Sequence, residues 1–204
     1  MTSMRLTIVA LAALLSACGD GGGATPDASA HLPDASAHQP DAAPGAPDAA
    51  VPGTFVLSST AIMTGVLLAD QYTCRGVNIS PPLAWTAGPA ATKSYAVVFT
   101  DLSNGLVHSV IWDIPGATRA LPEHVENAAT PAVPAGAKQA RGYDESTFGY
   151  LGPCPGEVHT YRFELFALDV ATMPGLTPQS SRDEVVPALT SHKLATTKLE
   201  VMSD

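Results

Sequence analysis

Basic residues are scarce in this 204-residue chain. Ten lysines and arginines stand against 19 aspartates and glutamates, which gives a formal net charge of −9, and the basic residues form no cluster along the sequence. Binding to a nucleic-acid backbone depends on such clusters, because they replace the counterions of the phosphates. The sequence therefore predicts no nucleic-acid partner.

Long hydrophobic runs are also missing. The most apolar stretch, residues 6–15, is much shorter than the roughly 20 residues of a transmembrane helix, so it is typical of the central part of a signal peptide. It follows Arg5 and ends in Leu15-Ser16-Ala17-Cys18, which resembles a bacterial lipobox. We expect residues 1–17 to be removed and Cys18 to become the acylated first residue. The alternative is an ordinary secretory signal in which Cys18 has no special role.

The residue after Cys18 bears on the compartment. Gly19 stands where an aspartate would retain a lipoprotein in the inner membrane. We therefore expect a lipid-anchored protein of the cell envelope, in the outer rather than the inner membrane, whose contact with the membrane is made through Cys18.

Aromatic residues are absent from residues 18–53. Pro-Asp-Ala recurs there, starting at positions 26, 33, 40 and 47, and almost no residue could fill a core. This composition predicts a disordered tether that can reach roughly 100 Å when extended. Residues 54–204 remain as one domain of ordinary size.

Cysteines are few. Without Cys18 only Cys74 and Cys154 are left, each next to turn residues. Outside the cytoplasm such a pair usually oxidises, so we predict a disulfide between them. Two free thiols, or a metal site shared with a histidine, are the alternatives.

Six segments have the β-branched and aromatic composition of strands. They are residues 54–58, 83–86, 94–100, 107–114, 159–168 and 197–202. In the fifth, alternate residues from Tyr161 to Ala167 are apolar and are expected to share a buried face. The pattern predicts a mostly β fold, an antiparallel β-sandwich with long Pro- and Gly-rich loops and a helix near the C-terminus.

The helix is expected after Ser181. Ser181 and Glu184 resemble a capping box, and Val185, Val186, Leu189 and Leu194 are candidates for its buried side. Pro187 falls inside this pattern and lacks a backbone N–H. We therefore expect the regular part to begin only near Pro187.

Several motifs in register identify a family. Residues 78–85, Asn-Ile-Ser-Pro-Pro-Leu-Ala-Trp, resemble a characteristic segment of the bacterial phosphatidylethanolamine-binding proteins of the YbhB/YbcL type, also called Raf-kinase-inhibitor-like proteins. Residues 92–95, 108–115, 121–123, and 150–155 running into 159–169, match further family segments in the correct order. The resemblance covers residues 55–202 and implies a β-sandwich with a small anion pocket at one end.

Carried over residue by residue, the resemblance implies a ligand set. The set comprises Asp101, His108, Gly152, Pro153, His159 and Tyr161, with Trp85 supporting it from the side. Two imidazoles can donate hydrogen bonds to one anion, a carboxylate can fix a histidine tautomer, and a glycine lets the backbone come close.

The chain departs from the family pattern in the loop before His108. The loop is shortened, and Ser103 stands where a second carboxylate is expected, which should favour an anion. Ser109 replaces a tryptophan, which we expect to open one wall of the pocket.

These observations predict a non-enzymatic protein that binds a small anion, either phosphate or a phosphorylated head group, without a metal or other cofactor. A first alternative is a module that inhibits a kinase or protease through an exposed loop at residues 131–142. A second is a metal-dependent hydrolase that uses Asp101, His108 and His159 as metal ligands. The resemblance also makes a homodimer possible as a further partner arrangement.

Overall fold

The computed structural model describes residues 53–204. These residues form eight strands and one α-helix, with a short 3-10 helix at Asp70–Tyr72. The elements are β1 (Leu57–Ser58), β2 (Leu83–Trp85), β3 (Ser94–Asp101), β4 (Val107–Pro115), β5 (Ala120–Leu121), β6 (Lys138–Gln139), β7 (His159–Leu168), α1 (Arg182–Ser191) and β8 (Lys193–Ser203). The predicted signal peptide and, apart from Gly53, the predicted tether lie outside the described residues.

The strands form two antiparallel sheets. The smaller has the order β1-β2-β5 and the larger the order β6-β4-β3-β7-β8. Apolar side chains of both sheets meet in one cluster, which includes Leu57, Trp85, Tyr95, Phe99 and Phe163. The predicted class, a mostly β antiparallel sandwich with a C-terminal helix, is confirmed.

The outer face of the larger sheet is covered as well. Val98, Trp112 and Leu168 pack there in a second cluster with Val185 and Leu189 of α1. The alternation predicted for β7 is correct from Tyr161 to Ala167, whose inward side chains are all buried. Phe166 of the other face is buried too, because it belongs to the cluster under α1.

The helix begins where its capping box predicts. The Ser181 side chain accepts a hydrogen bond from the Glu184 N–H, and the Glu184 carboxylate accepts one from the Ser181 N–H. The expected delay to Pro187 is wrong, since α1 runs from Arg182 to Ser191 with the proline inside it. Pro187 deprives only the Asp183 carbonyl of its usual donor. Both residues are exposed, so water can satisfy that carbonyl.

The last strand starts earlier than predicted. β8 begins at Lys193, and Leu194, expected on the buried side of the helix, lies in the strand with 38% of its surface exposed. The cause is pairing: β8 follows β7 along its whole length, from Ser203 opposite His159 to Lys193 opposite Leu168. The two-residue strands β5 and β6 were not predicted.

The segment 131–142 is not the free loop that the inhibitor alternative assumed. Within it β6 pairs with β4, and Ala137 and Ala140 are buried. The Lys138 ammonium group binds the Asp113 carboxylate. Only residues 132, 133, 135 and 136 at the turn, and Arg141, remain exposed.

Cys74 and Cys154 form the predicted disulfide, with 5.3 Å between their Cα atoms. No helix within residues 53–204 has the length and apolar character that crossing a bilayer requires.

Candidate functional site

The candidate site lies at one end of the larger sheet. There β3 ends at Asp101 while its neighbours β4 and β7 begin at Val107 and His159, because antiparallel strands alternate in direction. These ends surround an open cavity of about 110 Å³. Its wall comprises Asp101, Asn104, Leu106, His108, Tyr143, Cys154, Pro155, His159 and Tyr161. Four of the predicted ligand residues, Asp101, His108, His159 and Tyr161, therefore meet in one cavity.

A β-bulge aims His108 at this cavity. Phe99 pairs with Ser109 and Thr100 pairs with Val107, so His108 is an extra residue on β4. Ser109 shares the inner face of the sheet with Phe99, and strict alternation would turn His108 to the outer face. The bulge instead brings the imidazole to the inner side, 5.3 Å from the Phe99 ring and 5.3 Å from the Tyr161 ring, between centroids.

His159 and Asp101 form a close pair. The His159 Nδ1 lies 2.6 Å from Asp101 Oδ2, and the Asp101 side chain is 3% exposed. Burial opposes ionisation of Asp101, but hydrogen bonds from His159 and from the Ser103 N–H outweigh it and hold the pKa of Asp101 below its usual value. Because the carboxylate is ionised and accepts from Nδ1–H, it fixes the orientation of the His159 ring and leaves Nε2 for a ligand.

His108 is held by the backbone instead. Its Nδ1 lies 3.1 Å from the Leu151 carbonyl oxygen, which can only accept, so Nδ1 carries a hydrogen. Burial lowers the pKa of His108, although the Leu151 carbonyl and the Asp101 carboxylate oppose this shift. The free protein at neutral pH therefore holds a neutral His108 with an unprotonated Nε2.

Tyr161 connects the two imidazoles. Its ring stands perpendicular to His108 and stacks near His159, at 5.3 and 6.2 Å between centroids. Burial, with the negative charge of Asp101, raises the pKa of Tyr161 well above its usual value. Its hydroxyl thus keeps its hydrogen, and a hydrogen bond to the Asp101 carboxylate contributes to this shift.

The sequence and the fold of this domain have known counterparts. The family model for phosphatidylethanolamine-binding protein matches residues 58–203. A UPF0098 protein of Methanothermobacter thermautotrophicus is 42% identical over 137 residues, which cover 65% of this chain and 87% of that protein. The UPF0098 protein YbcL of Escherichia coli is 31% identical over 162 residues, covering 74% and 87%.

Two solved structures are similar. The crystal structure of E. coli YbcL, described as a new member of the mammalian PEBP family, superposes with a TM-score of 0.67 at 30% identity, covering 74% of this chain and 98% of that one. The putative phosphatidylethanolamine-binding homolog CT736 of Chlamydia trachomatis gives a TM-score of 0.62 at 25% identity, covering 74% and 97%. The chain belongs to the phosphatidylethanolamine-binding protein family.

Three residues carried over from the family pattern lie off the cavity wall. The Gly152 N–H donates to Asn78 Oδ1 at 2.7 Å, and the Pro153 carbonyl accepts from the Cys74 N–H at 2.9 Å. A Cβ at Gly152 would stand 2.2 Å from the Tyr72 carbonyl oxygen, so the close approach that needs glycine is to the protein and not to a ligand. Both residues act by holding Leu151 and Cys154 in place.

Trp85 lies away from the cavity. It packs edge-on against Tyr95 near the start of β3, whereas the cavity is at the other end of that strand. The structure therefore separates Trp85 from the other predicted site residues and places it in the core between the sheets.

The two departures from the family pattern also have defined places. The Ser103 hydroxyl accepts from the Thr160 N–H at 3.2 Å and so ties the shortened loop to β7. Ser109 faces a second, smaller cavity of about 40 Å³ between the sheets, together with Phe99 and Phe163. The expected opening of the anion pocket by Ser109 is therefore wrong, because the bulge at His108 points the two side chains into different spaces.

Sequence reasoning missed Asn104, Leu106, Tyr143 and Pro155 of the cavity wall, and Cys154, also on the wall, was outside the predicted ligand set. Asn104 and Leu106 belong to the short turn between Asp101 and His108, so their proximity follows once β3 and β4 are paired. Tyr143 lies in a hairpin with no strand signature, and no local signal predicted its position.

The hydrolase alternative requires metal ligands. Within residues 53–204, no three His, Cys, Asp or Glu side chains converge so as to hold a metal ion. Asp101 already accepts a hydrogen bond from His159, and the His108 Nδ1 is directed at a carbonyl.

Proposed function

We propose that this family member is a non-enzymatic binding protein of the cell envelope. It holds a small anion, phosphate or a phosphorylated head group, between His108 and His159. Acylated Cys18 anchors it, in the outer rather than the inner membrane. The protein requires no cofactor.

The observation that carries this proposal is that one nitrogen of each imidazole is hydrogen-bonded to the protein. Each Nδ1 is bound by a protein acceptor, Asp101 for His159 and the Leu151 carbonyl for His108. Each Nε2 is then left for a ligand, with the exposed Glu157 carboxylate 3.9 Å from that of His159. When protonated, the two rings present two charged donors.

The size of the cavity supports a small ligand. About 110 Å³ accommodates a compact group such as phosphate but not an acyl chain in addition. If the natural ligand is a phospholipid, only its head group enters the cavity.

Binding of inorganic phosphate and of O-phosphoethanolamine, measured by calorimetry, tests the proposal. We expect His159→Ala to abolish binding. Because that change also leaves the buried Asp101 unpaired, His159→Asn is the sharper variant: its amide can still donate to Asp101, but it lacks Nε2. We expect it to weaken binding by at least about tenfold, the effect of one hydrogen bond to a charged group.

His192→Asn is the matched control. His192 also pairs through Nδ1 with an aspartate, Asp169 at 2.9 Å, but at the far end of β7. The affinity of His192→Asn for phosphate should equal that of the unaltered protein. Unchanged affinity in both His159 variants would refute the site. A stoichiometric transition metal in protein isolated from its own host would favour the hydrolase alternative.

Envelope anchoring has a separate test. The disulfide between Cys74 and Cys154 is typical of proteins outside the cytoplasm and supports export. Labelled fatty acid should be incorporated into the unaltered protein and not into Cys18→Ala. Equal labelling of both proteins, or of neither, would contradict acylation at this residue.

A further inference from the structure

We infer that Tyr143 is a further ligand-contacting residue of the anion cavity and that Arg182 positions it. The inference rests on the proposed anion binding and identifies a donor for the same ligand that the family resemblance did not supply.

Tyr143 forms part of the cavity wall beside His108. Its ring packs edge-to-face on the His108 imidazole, 4.6 Å away between centroids, so His108 contacts two phenol rings. The side chain is partly buried and lines the cavity. Burial, with the charge of Asp144, raises the pKa of Tyr143, so its hydroxyl keeps its hydrogen and can donate to an oxyanion.

Tyr143 is carried by a compact hairpin, residues 141–148. Arg141 pairs with Phe148, and the Arg141 guanidinium lies 4.3 Å from the centre of the Phe148 ring. The Gly142 N–H donates to the Thr147 carbonyl at 2.7 Å. At the tip, the Asp144 carboxylate accepts from the N–H and hydroxyl groups of Ser146 and Thr147. Because these bonds are internal, the hairpin is expected to move as a unit.

Arg182 attaches this hairpin to the helix. Its guanidinium donates to the Arg141 carbonyl at 3.1 Å and to the Glu145 carboxylate at 2.7 Å. The Arg182 side chain is only 12% exposed. It is the first residue of α1, whose Val185 and Leu189 pack on the larger sheet. The contact therefore fixes the position of the hairpin, and with it that of Tyr143, relative to His108.

The arrangement also bears on the class of ligand. Tyr143 presents a hydroxyl donor beside His108, while the imidazoles donate from Nε2 when protonated. Such a set matches an anion with several free oxygens, such as a phosphate monoester.

Three variants test the assignment by calorimetry with inorganic phosphate. Tyr143→Phe removes only the hydroxyl and should weaken binding about tenfold. Arg182→Lys keeps the positive charge but loses the two-pronged contact, so it should weaken binding by releasing the hairpin. In the double variant the losses should not multiply, because Arg182 acts through Tyr143.

The chemical shifts of the His108 ring protons, measured by NMR, distinguish a change in the position of Tyr143 from a general loss of stability. The Tyr143 ring shifts the resonances of the His108 ring protons, and this shift should shrink in Arg182→Lys and persist in Arg162→Lys. Arg162 is the matched control, since it also contacts a glutamate, Glu200, at 2.7 Å but on the strand face that points away from the cavity. Its phosphate affinity should stay unchanged.

The outcomes separate the two proposals. Phosphate binding by the unaltered protein with equal affinity in Tyr143→Phe would overturn the assignment of Tyr143 alone. Losses that multiply in the double variant, or an unchanged His108 spectrum in Arg182→Lys, would overturn the role of Arg182. No phosphate binding by the unaltered protein would overturn the proposed function and this inference together.

Discussion

Sulfate binding to the cavity should strengthen as the pH falls, because His108 must gain a proton before its Nε2 can donate. The Leu151 carbonyl holds the hydrogen on Nδ1, so the neutral ring presents a bare Nε2. A bare nitrogen repels a sulfate oxygen, whereas the imidazolium donates to it.

The size of the effect follows from the environment of His108. Burial lowers its pKa; the Leu151 carbonyl and Asp101 oppose that shift, and the positive charge of Arg182 adds to it. Above the ordinary histidine value of about 6.5, the neutral form of His108 therefore predominates in the free protein. One proton taken up by His108 on binding costs up to about 1.4 kcal/mol more for each pH unit. The contribution of His108 alone should therefore lower affinity by up to about tenfold per unit and up to about 30-fold from pH 6.5 to 8.

Calorimetry in two buffers of different ionisation enthalpy measures this proton uptake directly. Sulfate is the appropriate probe because it stays fully ionised over the range, whereas phosphate brings its own proton, which Nε2 can accept. Phosphate affinity should thus vary less with pH. The part of the proton uptake on sulfate binding that His108 contributes should disappear in His108→Asn. Equal sulfate affinity at pH 6.5 and 8 without proton uptake would refute this account of His108.

Two further predictions concern the segment that carries Leu151. Replacing Cys74 and Cys154 together by alanine opens a loop with a sequence separation of 80 residues. This change should lower the free energy of unfolding by up to about 4.5 kcal/mol and the midpoint of thermal unfolding by roughly 9–18 °C. An unchanged midpoint would contradict the stabilising role of the disulfide. Gly152→Ala should destabilise the domain by about 1–3 kcal/mol, because its Cβ would meet the Tyr72 carbonyl, and should weaken phosphate binding. Gly156→Ala is the control, since nothing lies within 4 Å of its Cβ, and equal denaturation midpoints for the two glycine variants would disprove the steric argument.

Local sequence determined the long strands and the start of the helix. β3, β4 and β7 lie within one residue of the predicted bounds, because β-branched and aromatic runs between Gly, Pro and Asn suit the pleated, half-buried surface of a strand. The capping box at Ser181 is similarly a contact between neighbours in the chain. The motifs shared with the family further predicted the fold in which these elements are arranged and four residues of the cavity.

Pairing partners decided the rest of the fold. β5 and β6 have two residues each and exist only because β2 and β4 offer them a free edge. β8 begins before its predicted start because β7 is long enough to pair with all of it. Pro187 is tolerated inside α1 because the capping box and the contacts of Val185 and Leu189 stabilise the helix around it.

The chemistry of the site likewise divides between sequence and tertiary structure. The resemblance to the family, and not the residue types alone, predicted that Asp101, His108, His159 and Tyr161 meet in one cavity. Only the tertiary structure decided that a bulge turns His108 inward, that Leu151 fixes its tautomer and that Tyr143 lies against it. Each of these depends on register or on contacts between segments far apart in the chain, and local propensity carries no information about either.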